Sequence, residues 1–429
     1  MLDLTNSNQA GRYMSRRLFL QGSVAVGLAA AGVDVAKAQT RLGEVQGHLR
    51  HGFESVRDVL AASLANGGDI GCSAAVFIEG EPVVDIWGGF YDAARTRAWQ
   101  HNTIVNTFSA TKTMTALAAM VLVDRGVIDL DAPVARYWPE FAQAGKGGVQ
   151  IRHLLSHRSG LAGWTEDLTV EDLLDREKSL ALLERQEPWW APGEAVGYHP
   201  ITYGPLIGEV IRRTTGQTLG QFFAAEVCQP LRGDFHIGSG PELDHRVSTM
   251  FQSNEPRHPS GHFISDRAFF NPYVTPQIGG SIPWRRAELG GSNGHGSAYG
   301  MAAIQSVVSC GGEARGVRLL RRQTVDRMLE VQADQPDLVA GYPLRWGLGY
   351  ALENPMLNQL YGNRFADHRI AFWGGSGGSI VVNDLDERMT ITFAMNKHVE
   401  HGGIDQRSIA LVSAVYDALA AARCTSPRQ

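Results

Sequence analysis

Phe108-Ser109-Ala110-Thr111-Lys112 opens an apolar run that ends at Gly126, and its reading decides what surrounds it. Met114, Leu117, Ala118, Val121 and Leu122 recur at three- and four-residue steps, which predicts a helix over 113–125 stopped by Gly126. Ser109 and Lys112 stand three apart, so a helix places them one above the other on a single face. At a first turn the unpaired backbone N–H groups and the helix dipole favour negative charge on the serine. An amine one turn away takes up the serine proton and stabilises the alkoxide, which makes the pair a nucleophile with its own base. The bland alternative is a capping serine followed by a solvated lysine. With 5 Lys and 25 Ser in 429 residues, chance supplies fewer than one S-x-x-K match, and the chain holds one. The pair needs partners further along.

A chain of 429 residues holds two lobes or one large domain with ample core. Hydrophobic content of 44% and charged content of 19% are those of a soluble globular protein. The net charge of −5 comes without a basic block, so nucleic acid is not an expected partner. Residues 1–38 read as a removable export signal. Ser15-Arg16-Arg17-Leu18-Phe19-Leu20 is a twin-arginine pattern, a weakly apolar run covers 24–33, and Ala36-Lys37-Ala38 fits a cleavage site. The run is too short for a permanent membrane span, so the expectation is an exported protein, periplasmic or secreted. Cys72, Cys228, Cys310 and Cys424 show no C-x-x-C spacing; they allow three disulfide connectivities or serve as buried small hydrophobes.

In chain order, a helix over 49–64 is followed by strands at 72–79 and 82–87 joined by Glu79-Gly80-Glu81. From 127 to 300 the pattern is helices and loops: a short helix from Asp129, others at 149–156, 169–185 and 203–213, a long Gly- and Pro-rich loop over 249–296, then helix at 298–308. Strands are expected at 345–351, 370–373, 379–383 and 389–395, with a closing helix over 405–421. The β-forming residues lie near both ends with helices between them, an α+β arrangement.

Three features follow Ser109-x-x-Lys112. Leu154-Leu155-Ser156-His157-Arg158-Ser159-Gly160-Leu161 comes first, then Tyr198-His199-Pro200 before a helix, then Trp373-Gly374-Gly375-Ser376 before a strand. Their order and spacing resemble the serine β-lactamase and penicillin-binding protein superfamily, where S-x-x-K precedes a Tyr- or Ser-led triplet and a K-T-G-like triplet. The nearer resemblance, over roughly 45–420, is to class C β-lactamases and to the family VIII carboxylesterases that share their fold. The run from Tyr198 to Glu209 and the stretch Asn293-Gly294-His295-Gly296-Ser297-Ala298 are similar to stretches of the esterases.

That resemblance implies a β-lactamase/transpeptidase-like α+β fold over 45–425: an antiparallel sheet flanked by helices, plus a mostly helical lobe. The α/β lobe would take about 45–107 and 310–425, the helical lobe about 108–309. It implies Ser109 as nucleophile, with Tyr198 and Lys112 sharing the base role. A phenol is a poor base at pH 7 unless a nearby ammonium favours its anion. Tyr198 would then protonate the leaving group and later activate water. The backbone N–H groups of Ser109 and Ser376 would form the oxyanion hole. Trp373, Gly374, Gly375 and His295 would border the substrate pocket, and no cofactor or metal is called for. Two departures matter: Pro200 stands where the family usually has Asn, and Trp373 where β-lactam-processing members place Lys. Both remove groups that grip an amide and a carboxylate, which points to a small, neutral, largely apolar ester. The indole N–H of Trp373 is free to turn toward Tyr198. A β-lactamase, D-amino-acid peptidase or acyltransferase on the same scaffold is the alternative, and an acyl-binding sensor that fails to deacylate is a third class.

Two decoys are set aside. Gly374-x-Ser376-x-Gly378 and Gly290-x-Ser292-x-Gly294 match the nucleophile elbow of α/β-hydrolases, but neither joins a strand to a helix. His153 and His157 are four apart without the Glu of H-E-x-x-H, so His157 is expected to hold a loop rather than a metal. Oligomeric state is open.

Overall fold

Gly71 to Phe77 are buried without a break, which a strand tolerates only where both faces of its sheet are covered. The computed structural model describes residues 43–252, 258–399 and 404–425, and shows how that cover arises. The expected export signal at 1–38 lies outside the described residues.

Nine strands form one antiparallel sheet: β1 (Gln46–Leu49), β2 (Gly71–Ile78), β3 (Glu81–Gly89), β4 (Ala333–Pro336), β5 (Pro343–Trp346), β6 (Ala351–Leu352), β7 (Ile370–Gly374), β8 (Ile380–Asp384) and β9 (Met389–Met395). Their order is β1-β3-β2-β9-β8-β7-β6-β5-β4. The two ends of the sequence therefore meet in the middle of the sheet, where β2 pairs with β9 from Cys72↔Met395 to Ile78↔Met389. Helix α1 (Glu54–Ala65) packs on β2 and β3 and against the closing helix α5 (Gln406–Thr425). Between them in sequence run α2 (Thr111–Asp124), α3 (Tyr203–Thr215) and α4 (Ala298–Ser309). This is the expected β-lactamase/transpeptidase-like α+β fold.

The differences from expectation have local causes. α2 is not amphipathic in place: every residue from Thr111 to Leu122 is buried, so the apolar stripe is only the part of a fully enclosed helix that sequence periodicity detects. α4 packs on β2, β8 and β9, which places 298–309 with the sheet rather than with the helical lobe. The expected strand at 345–351 is the hairpin of β5 and β6, since Trp346 pairs with Ala351 and the Gly347 N–H closes the turn on the Tyr350 carbonyl. The expected helix over 169–185 breaks at Asp175, whose carboxylate caps a second helix by accepting from the Lys178 N–H. No helix starts at Asp129; a 3₁₀ turn forms at Val134–Arg136. The long loop holds three short helices, Phe263–Phe270, Pro276–Gly279 and Ile282–Arg286. All four cysteines are free, three of them buried and Cys424 exposed.

Candidate active site

Ser109 lies two residues before α2, in a 3₁₀ turn at Phe108–Ala110 that Phe108 enters with φ of 43°. The turn keeps Ser109 partly exposed while Lys112, in the first turn of α2, is buried. Lys112 Nζ is 3.2 Å from Ser109 Oγ and donates to the carbonyls of Pro200 and Gly291, each at 2.7 Å. Gly204 permits this: a Cβ there would come within 1.5 Å of the Leu289 carbonyl oxygen, so only glycine lets α3 lie against the 289–291 segment.

Burial pushes the Lys112 ammonium well below its ordinary pKa. The two carbonyls and Ser109 Oγ offer an acceptor to each of the three N–H bonds of an ammonium, and a neutral amine would keep the two carbonyls and turn its lone pair to Ser109. Tyr198 is also buried; its hydroxyl accepts from Trp373 Nε1 at 3.2 Å. Burial raises the phenol's pKa, and the bonds to Ser109 and Trp373 oppose the rise without cancelling it. Lys112 Nζ stands 4.8 Å from the centroid of the Tyr198 ring, on its face. Burial thus works against the charged form of both groups, and the expected Tyr198 phenolate is the form that it disfavours.

Gly375 brings the end of β7 onto the Ser109 turn. A Cβ there would meet the Thr107 carbonyl oxygen at 2.0 Å, and the same oxygen accepts from Ser379 Oγ at 2.7 Å. Around it the Phe108 N–H goes to Asn106, the Ala110 N–H to Thr107, and the Gly375 N–H to Ser379. The Ser109 and Ser376 N–H groups donate to no protein acceptor among the described residues. Free N–H groups at and beside the Ser109 turn are the kind of donor that an oxyanion hole requires.

Ser109 and Ser376 share a cavity of about 100 Å³, also lined by Phe269, Val274, Trp284 and Ser292. Trp373 and Gly374 border a second hollow of about 360 Å³, with Leu344, Met356, Leu360 and Ile404. No lysine or arginine lines either one among the described residues. His295 is not brought to the site. It is 1% exposed, in a short strand paired with Asn106 and His236, and its Nδ1 bonds the Asn293 carbonyl. A third cavity of about 270 Å³ beneath α3, around Glu209 and Arg212, is lined by none of Ser109, Lys112, Tyr198, Trp373 and Ser376.

Several supporting groups carried no signal in the sequence. Asp337 accepts from the Tyr198 N–H at 2.9 Å and from Trp346 Nε1 at 3.2 Å, and the Trp346 ring lies parallel to Tyr198 at 6.0 Å. His398 Nε2 is 2.8 Å from Ser376 Oγ, and burial followed by the Arg407 charge lowers the pKa of His398 to about 4. His157 does hold a loop: its Nδ1 accepts from the His199 N–H at 3.1 Å, next to Tyr198.

The fold and this constellation are those of a serine hydrolase built on the β-lactamase scaffold. Residues 56–414 match the family model described as Beta-lactamase, and the chain belongs to that family. A family VIII carboxylesterase structure is 38% identical, superposes with a TM-score of 0.82, and matches over 87% of this chain and 100% of that one. A penicillin-binding protein homolog from Caulobacter crescentus is 34% identical with a TM-score of 0.81, over 87% and 99%. The esterase/beta-lactamase LipL of Mycobacterium tuberculosis is 33% identical over 300 residues, 65% of this chain and 68% of that one.

Proposed function

We propose that this protein hydrolyses small, neutral, largely apolar carboxylic esters through an acyl-enzyme on Ser109. The observation that carries the reading is the wall around Ser109, which offers tryptophan and aliphatic side chains and no cation to hold a carboxylate. The carboxylesterase neighbour supports the same direction.

In this mechanism neutral Lys112 takes the Ser109 proton as Oγ bonds the acyl carbon. The carbonyl oxygen becomes an oxyanion between the Ser109 and Ser376 N–H groups, each such donor being worth on the order of 10²–10³ in rate. As the C–O bond breaks, Tyr198 gives its proton to the leaving alkoxide and regains one from the Lys112 ammonium. Water then attacks the acyl-enzyme, its proton passing to the same pair, and Ser109 is released with its hydroxyl restored.

The test is a panel of p-nitrophenyl and simple ethyl esters, a chromogenic cephalosporin and a D-Ala-D-Ala peptide, compared by kcat/KM. Esters should exceed the cephalosporin by at least about 10³, or roughly 4 kcal/mol in transition-state binding. Efficient cleavage of the peptide, or a cephalosporin rate equal to the esters, would sink the esterase reading. Acceptor-dependent turnover would indicate an acyltransferase. Export belongs to the same proposal, and N-terminal sequencing of the mature protein should begin at Gln39.

A further inference from the structure

Two buried donors in the cavity that Ser109 lines have no acceptor among the described residues. Ser292 is 4% exposed and Trp284 is 0% exposed, yet neither the Ser292 hydroxyl nor the Trp284 indole N–H finds a partner among the described residues. Both side chains line the cavity that Ser109 lines. Asn293 fixes them together: its Nδ2 donates to the Trp284 carbonyl at 3.0 Å, and its Oδ1 accepts from the Leu289 and Gly290 N–H groups at 3.1 and 3.2 Å. Ser292 directly follows Gly291, whose carbonyl receives the Lys112 bond. A buried donor left unpaired is unfavourable, and two in one small cavity at the nucleophile mark a place where a ligand supplies the acceptor.

Which arm of an ester reaches them follows from Tyr198, and this step rests on the proposed function. The leaving oxygen must come to the Tyr198 hydroxyl, which Trp373 holds by its indole N–H. Trp373 is also a wall of the larger apolar hollow with Leu344, Met356, Leu360 and Ile404. The alkoxy arm therefore runs from Tyr198 into that hollow. The carbonyl oxygen occupies the N–H pair, and the acyl arm is left with the smaller cavity.

We propose that the cavity beside Ser109 receives the acyl arm and selects short acyl groups bearing an oxygen acceptor (an ether, hydroxyl or keto oxygen) for the Ser292 hydroxyl and the Trp284 N–H. A site built to hydrogen-bond a substrate group discriminates strongly against the analogue that lacks it, because its own buried groups are then left unpaired.

The test uses three esters of nearly equal shape: butyl butyrate, butyl methoxyacetate, and 2-methoxyethyl butyrate. Each kcat/KM is divided by that ester's rate of alkaline hydrolysis, which removes differences in intrinsic reactivity. The wild-type protein should favour the methoxyacetate over butyl butyrate by at least about 10-fold and gain nothing from the ether in the alcohol. Ser292→Ala should bring that ratio close to unity, and Trp284→Phe should lower it independently. The ratio is internal to each variant, so a partly misfolded preparation does not imitate the loss. A normalised wild-type ratio near unity, or a preference for the ether in the alcohol arm, overturns the assignment. So does an unchanged ratio in both variants. Hydrolysis of all three esters without preference overturns this inference alone, whereas inertness toward every ester overturns the proposed function with it.

Discussion

The indole N–H of Trp373 donates to the hydroxyl oxygen of Tyr198 across 3.2 Å, from the end of β7 to the segment that leads into α3. This bond uses the position where the resemblance to β-lactam-processing enzymes leads to the expectation of a lysine, and it offers a donor to a neighbouring side chain instead. Trp373→Phe keeps the apolar wall and removes the donor. A neutral hydrogen bond is worth about 0.5–1.5 kcal/mol, so kcat on a simple ester should fall roughly 3- to 10-fold. An unchanged kcat would mean that the bond does not bear on proton transfer.

Covalent labelling by a fluorophosphonate should be abolished in Ser109→Ala. It should persist in Ser376→Ala, since the proposed mechanism uses only the backbone N–H of that residue, and in Ser292→Ala. Mass spectrometry of the labelled peptide reads this directly. A label on Ser376 or Ser292 would return the nucleophile to one of the glycine-flanked serines.

In the proposed mechanism Lys112 acts as base only as the neutral amine, which is populated above its pKa. Burial lowers that pKa and raises the pKa of Tyr198, so kcat/KM should climb along one ascending limb. It should not turn down at alkaline pH before the protein unfolds. Tyr198→Phe and Lys112→Ala should be strongly non-additive when combined, as for groups that pass one proton between them. A descending alkaline limb that disappears in Tyr198→Phe would instead assign the base role to a phenolate.

Acid should weaken the fold through its buried histidines. Burial holds His157 well below the ordinary value of 6.5 and lowers His199 and His295 to about 3. Between pH 6.5 and about 3 the unfolded chain binds protons that the native state does not. Stability contributed by neutral histidine is thus complete above pH 6.5 and is lost as pH falls through that window. Urea midpoints should decline steadily from pH 7 to pH 4.5, and His199→Gln should flatten the decline. A midpoint independent of pH over that range would contradict the burial argument.

Asp337 should matter to Tyr198 more than its distance in sequence suggests. Its carboxylate gathers the N–H groups of Tyr198, Val339 and Ala340 and the Trp346 indole N–H. Asp337→Ala strands four donors, three of them buried, and should lower the unfolding free energy by about 3 kcal/mol or more. Urea titration measures it; a loss below about 1 kcal/mol would show that the segment has other support.

The fold class was readable because its evidence is local or repeated. Alternation and apolar runs marked β2, β3, β7, β8 and β9 within a residue or two, and the three-residue step from Ser109 to Lys112 survives whether the first turn is α or 3₁₀. Where reading failed, a single side chain or turn outweighed periodicity. Asp175 capped a new helix inside one expected helix, and a hairpin at Gly347 split one expected strand.

By itself the sequence determined the family, the Ser109–Lys112 pair at the start of a helix, the Tyr198 segment and the tryptophan at position 373, because each is carried by residue type at short spacing. Tertiary structure alone decided the rest. Sheet register set Trp373 against Tyr198, 175 residues apart, and folding brought His398 to Ser376 and Asp337 to the Tyr198 N–H. It also withdrew His295 from the pocket by pairing it between Asn106 and His236. The direction of both pKa shifts at the site follows from burial, which depends on how distant segments close over Lys112 and Tyr198 rather than on what stands next to them in the chain.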